Sequence, residues 1–165
     1  MEWATVEGWS DFYVAQVGAS AALAGLLFVG ISISLDDILK FKHLPMRAAG
    51  SLTLLAIVLL ASMLMLVPDQ SIRDAGQNAL AIGIVGTILT VWMGSVSLRN
   101  MPVAFRKHGY IIIGLKLVAA LLFTLSGLVM TITNDRGDGL MVTGCVVAYV
   151  VVLTDTWVLL VEVHR

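Results

Sequence analysis

Apolar residues run in long blocks broken by short polar stretches, and this alternation sets the predicted elements. A membrane-crossing helix needs about 20 mostly apolar residues. Five blocks reach that length: Phe12–Leu35, Ala48–Val67, Asn78–Leu98, Tyr110–Thr133 and Leu140–Glu162. The fifth is interrupted by Asp155 between Thr154 and Thr156. Turn or breaker residues mark the connections Asp36–Arg47 with Pro45, Pro68–Gln77, Arg99–Gly109 with Pro102, and Asn134–Gly139 with two glycines. None has room for a soluble domain. The pattern predicts an all-α, polytopic membrane helix bundle of five transmembrane helices, a single transmembrane domain over residues 1–165.

Composition agrees. Hydrophobic residues make up 59 % of the 165-residue chain and charged residues 13 %, about half of the ~25 % usual in soluble domains. An ordinary soluble enzyme is excluded, and a net charge of −1 offers no footprint for nucleic acid. The lone cysteine, Cys145, has no partner for an intramolecular disulfide. Glu2, Glu7 and Asp11 stand where a cleaved signal peptide would carry basic residues, so no such peptide is expected.

Lys and Arg counts orient the spans. Lys40, Lys42 and Arg47 lie in the first connection and Arg99, Arg106 and Lys107 in the third, against Arg73 alone in the second and Arg136 alone in the fourth. Basic connections alternate, so the N-terminus is expected outside and the C-terminus inside. Trp3, Trp9 and Tyr13 at the outer boundary, and Phe41, Phe105 and Tyr110 at the inner one, suit interface anchors.

Lipid gives helices no hydrophobic reason to associate, so small residues mark where backbones approach. Stripes at alternating spacings of three and four run along four spans. They are Gly18, Ala22, Gly25, Val29 and Ser32 on the first; Gly83, Thr87, Thr90, Gly94 and Ser97 on the third; Lys116, Ala120, Thr124, Gly127 and Thr131 on the fourth; and Gly144, Ala148, Val151, Asp155, Val158 and Glu162 on the fifth. The second span is Leu- and Met-rich beyond Ser51 and Thr53, so it is expected at the lipid-facing periphery, with the other four forming the interior. Tight packing explains the stripes. Alternatively, Thr87, Thr90, Ser97 and Thr124 line a polar helix face along a pathway, although such hydroxyls also bond their own backbone.

Ionisable groups inside the hydrocarbon are expensive and mark functional sites by default. Lys116 lies about 9 Å into the fourth helix and Asp155 about 10 Å into the fifth, counted from their inner ends at 1.5 Å per residue. The short fourth connection makes these helices antiparallel neighbours, so the charges meet at one depth and predict a Lys116–Asp155 ion pair. Trp92 shares the depth and offers a ring face to Lys116. Tyr149 offers a hydrogen bond, and Glu162, one heptad after Asp155, a second carboxylate. Three readings are open: Lys116 snorkels to the interface, the pair is a static lock that fixes helix register, or it is a working, gate-like site for protons or ions.

Other chemistry is missing. His43, His108 and His164 all lie at the inner boundary, so an intramembrane haem has no ligands. Together with Asp36 and Asp37 they lack metal-ligand spacing on one helix. There is no Gly-rich phosphate loop, HExxH or GxSxG motif. No catalytic residues, cofactor or metal are expected, and no enzyme.

Finally, Trp9-x-x-Phe12, Ala21-Ala22-Leu23-x-Gly25-Leu26-x-Phe28-Val29-Gly30-x-Ser32-Ile33-x-Leu35 and Leu44-x-x-Arg47-Ala48 resemble small uncharacterised bacterial multi-span membrane proteins, some labelled protease-modulator-like. The resemblance covers about the first 50 residues and implies a bacterial inner-membrane location without an established activity. The sequence therefore leads to an oligomeric ion- or proton-permeation protein, with a membrane regulator that binds a membrane-protein partner through its helix faces as the alternative. In both cases the surroundings are the lipid bilayer, and the small-residue faces suit a homo-oligomer.

Overall fold

The computed structural model describes residues 7–103, 106–133 and 137–162, and the side chains of 9–103, 106–133 and 137–158. Among these residues every regular element is a helix: α1 (Glu7–Ile33), α2 (Leu35–Leu39), α3 (Leu44–Met65), α4 (Ile72–Asn100), α5 (Arg106–Thr133) and α6 (Asp138–Glu162). Five of the six, all except α2, are long and apolar enough to cross a membrane. The molecule is a multi-pass membrane helix bundle.

Local chemistry moves the helix ends beyond the apolar blocks. Pro45 sits in the first turn of α3, where a missing N–H costs no helical bond. Arg47 is therefore helical instead of part of a connection. Between α3 and α4, Asp69 takes a positive φ of 57°, which Asp tolerates better than most residues. The Gln70 side chain donates to the carbonyl of Leu64, 2.5 Å away, at the end of α3. Ser71 caps α4 by accepting from the Asp74 N–H at 3.2 Å. Hydropathy also did not anticipate the short helix α2.

α3 touches every other helix, and α4 and α5 make the most extensive helix pair. α1 packs mainly on α3, with only slight contact to α2 and α6 and none to α4 or α5 among the described residues. This corrects the expected layout of first and second spans. In its most apolar stretch α3 is 56 % buried and α1 11 %, so the second span is the centre and the first lies at the edge. Leu54, Leu55, Val58 and Ala61 of α3 are fully buried. Lipid is as apolar as leucine, so Leu and Met content does not tell a core helix from a peripheral one.

The stripes divide in the same way. Gly83, Thr90, Gly94 and Ser97 on α4, Lys116, Ala120 and Gly127 on α5, and Gly144, Ala148, Val151 and Asp155 on α6 are all buried. On α1, by contrast, Gly18, Ala22, Gly25, Val29 and Ser32 are all exposed, and its inward face is Tyr13, Gln16, Ser20 and Leu27. Tyr13 is no interface anchor. It is buried, and its hydroxyl donates to Asp138 Oδ1 at 2.6 Å, tying α1 to the start of α6. Trp3 and Phe105 lie outside the described residues.

Candidate functional site

Near the end of the bundle that carries the basic connections, α3, α5 and α6 converge on one carboxylate. Asp155 is fully buried. Its Oδ2 accepts from Lys116 Nζ at 2.6 Å and from Ser51 Oγ at 2.8 Å, and its Oδ1 accepts from Arg47 Nε. The remaining donors of Lys116 reach Ser51 Oγ at 2.9 Å and the Arg47 carbonyl at 3.2 Å. All three ammonium hydrogens thus have acceptors. Side-chain exposure is 5 % for Lys116 and 10 % for Arg47, so both cations are inside the protein.

Helix geometry explains the convergence. Arg47 and Ser51 are one turn apart on α3 and share a face. The Lys116 stem crosses from α5 to that face, and Asp155 meets it from α6. An ion pair in a low-dielectric interior is favourable only when its hydrogen bonds are complete, and around Asp155 they nearly are. Arg47 Nη2 is the exception, buried with no hydrogen-bond partner.

Beside the centre is a cavity of about 20 Å³ bounded by Arg47, Gly50, Thr90, Gly94, Ser97 and Lys116, among others. A water needs about 10–15 Å³ of such space, so the cavity takes about one. Two α4 hydroxyls are engaged by neighbouring elements: Thr87 and Thr124 share a hydrogen bond at 3.2 Å, and Ser97 Oγ donates to the His43 carbonyl at 3.3 Å. These hydrogen bonds join α4 to α5 and to the start of α3. Burial and the nearby Arg47 hold the His43 imidazole below its ordinary pKa, which keeps it neutral at neutral pH.

The structure thus brings Lys116 and Asp155 together and leaves other expected members apart. Trp92 is 54 % exposed and faces outward, because its position on α4 is nearly opposite Thr90. Tyr149 turns to α1, where its hydroxyl donates to the Gln16 side chain. The side chain of Glu162 lies outside the described residues. Arg47 and Ser51 were missed because Pro45 read as a loop marker. The available signal was Pro at a helix start followed by Arg47 and Ser51 at a spacing of four.

The described residues contain no cluster of three or more His, Cys, Asp or Glu able to hold a metal ion. No protein-family model, curated protein or solved structure matches the chain.

Proposed function

We propose that this multi-pass protein, set in a bacterial inner membrane with its basic connections inside, conducts protons through the Arg47–Lys116–Asp155 centre. The observation that supports this reading is two cations on one fully buried carboxylate. Arginine does not release its proton in proteins, so Arg47 and Asp155 form a standing pair. Lys116 is the member that exchanges. One proton on Lys116 switches the centre between neutral and +1, and a water in the adjoining cavity is its route in or out. A space for about one water does not admit a hydrated metal ion, so protons suit the geometry better than Na⁺ or K⁺. No enzymatic chemistry enters this reading.

The test is dye-reported dissipation of an imposed pH gradient in proteoliposomes. Wild type should dissipate it faster than empty liposomes. Lys116→Met and Lys116→Arg should both fall to the empty-liposome rate, since arginine keeps the charge and holds the proton. Wild type no faster than empty liposomes, or an unimpaired Lys116→Arg, would overturn the proposal.

A second reading, docking to a membrane partner or to another copy of the chain, is favoured by α1. Its whole small-residue stripe is exposed, and a Cβ added at Gly18 or Gly25 would meet nothing within 4 Å. Such faces let helix backbones approach closely. Gly18→Leu with Gly25→Leu should abolish cross-linked oligomers while circular dichroism stays unchanged. Oligomers that persist in the variant would remove α1 as the docking face.

A further inference from the structure

Two spaces border both α3 and α4, the first of them also walled by α5. The first is the small cavity beside Arg47 and Lys116. Further from the basic end is an apolar groove of about 270 Å³, bounded mainly by Ala56, Ile57, Leu60, Val85, Gly86 and Leu89. Thr53, which lines the groove, donates through Oγ1 to the Sδ of Met93, which lines the cavity, at 3.5 Å. The small, exposed side chain of Ala56 leaves the groove open, Ile57 packs over Gly86 at its floor, and Leu60, Val85 and Leu89 form exposed rims. Because α1 does not reach α4, no described helix covers it.

The groove is more than ten times as large as the cavity beside Arg47, and its walls offer water few partners. Hydrocarbon suits it. Charge identifies the other end of the occupant. Lys42, Arg99 and Lys107 are exposed where the seam meets the basic end. None of the three has a carboxylate within 4.0 Å among the described residues, where the ion pairs are Lys40–Asp37, Arg47–Asp155 and Lys116–Asp155. Just below, Arg47 carries a buried guanidinium nitrogen without a partner, in a centre with two cations and one carboxylate. Along α3, Arg47 to Leu60 rises about 20 Å, half the ~40–45 Å of a bilayer with its headgroups. The seam therefore has the length and polarity of one lipid in one leaflet.

We propose that the α3–α4 seam binds one anionic phospholipid, with an acyl chain in the groove at Ala56 and its phosphate at the exposed Lys42 and Arg99. Basic sites between membrane helices recognise lipid headgroups in this manner. A partner helix would fill the groove without using the unpaired charge at its mouth, so charge complementarity selects the lipid. This inference does not depend on proton movement.

Native mass spectrometry of the full chain in detergent, titrated with phosphatidylglycerol or phosphatidylcholine of matched chains, tests it. Wild type should retain one phosphatidylglycerol with about tenfold preference over phosphatidylcholine. Ala56→Leu, which fills the groove from an exposed position, should lower retention of both lipids. Lys42→Gln with Arg99→Gln, both at the surface, should abolish the preference and leave circular dichroism unchanged. Equal retention of the two lipids by wild type would overturn the proposal. So would unchanged retention by folded Ala56→Leu, or a dimer that Ala56→Leu abolishes without any lipid adduct in wild type.

Discussion

Asp155→Ala is expected to destabilise the bundle by about 3–5 kcal/mol, as removal of one partner from a buried ion pair does. The reason is arithmetic on charge. Asp155 is the single carboxylate that Arg47, Lys116 and Ser51 share, and without it two cations face each other inside the bundle. Lys116→Met is a different experiment. It leaves the neutral Arg47–Asp155 pair and one carboxylate oxygen short of a donor, an expected loss of about 1–3 kcal/mol. Arg47→Leu leaves Lys116–Asp155 and should resemble it. Replacing all three at once, Arg47→Leu with Lys116→Met and Asp155→Leu, should recover most of the stability, since apolar substitutes for a buried ionic group are often neutral or better. Denaturant titration in mixed micelles reads all four variants, with Trp92 and Trp157 as outward-facing reporters, 54 % and 69 % exposed. If Asp155→Ala loses no more than Lys116→Met, then Asp155 is not the anion on which the three helices depend.

The asymmetry among these variants comes from Arg47, which the hydrophobic pattern gave no reason to place inside. Lys116 and Asp155 were legible as a pair because each interrupts an apolar block, and the short connection between their helices fixes them at one depth. Arg47 lies beside a proline at a block edge, where a basic residue ordinarily faces the membrane surface. Only the helical start at Leu44, with Pro45 in its first turn, turns it inward one turn ahead of Ser51. The five spans were legible for the same reason as the pair: bilayer thickness imposes a minimum apolar length on each. The order of helices from centre to edge was not. Small residues show which face of a helix can be approached closely, but not whether the approaching helix belongs to the same molecule. α1 carries such a face and turns it outward, while α3, without a stripe, occupies the middle through Leu54, Leu55 and Val58.

That distinction yields the second large effect, at the α4–α5 seam. With no hydrophobic drive between helices in lipid, this pair depends on close backbone contact. A Cβ added at Gly83 would stand 2.6 Å from the Thr124 backbone nitrogen, and one at Gly127 2.6 Å from Leu80 Cα. The two glycines are reciprocal, each on one helix and facing the backbone of the other, and the Thr87–Thr124 hydrogen bond lies between the same pair. A backbone cannot swing aside as a side-chain tip can, so a larger residue at either position must push the helices apart. Gly127→Leu is therefore expected to cost at least the upper part of the about 1–3 kcal/mol typical of overpacking, and to break the Thr87–Thr124 bond as the seam opens. Gly114→Leu is the matched control on the same helix, because a Cβ there meets nothing within 4 Å, and it should cost no stability, since removing a mid-helix glycine is worth up to about 1 kcal/mol. Unfolding midpoints of the two variants in one detergent decide the matter. Equal midpoints would mean that α4 and α5 are held by something other than the contact at these glycines.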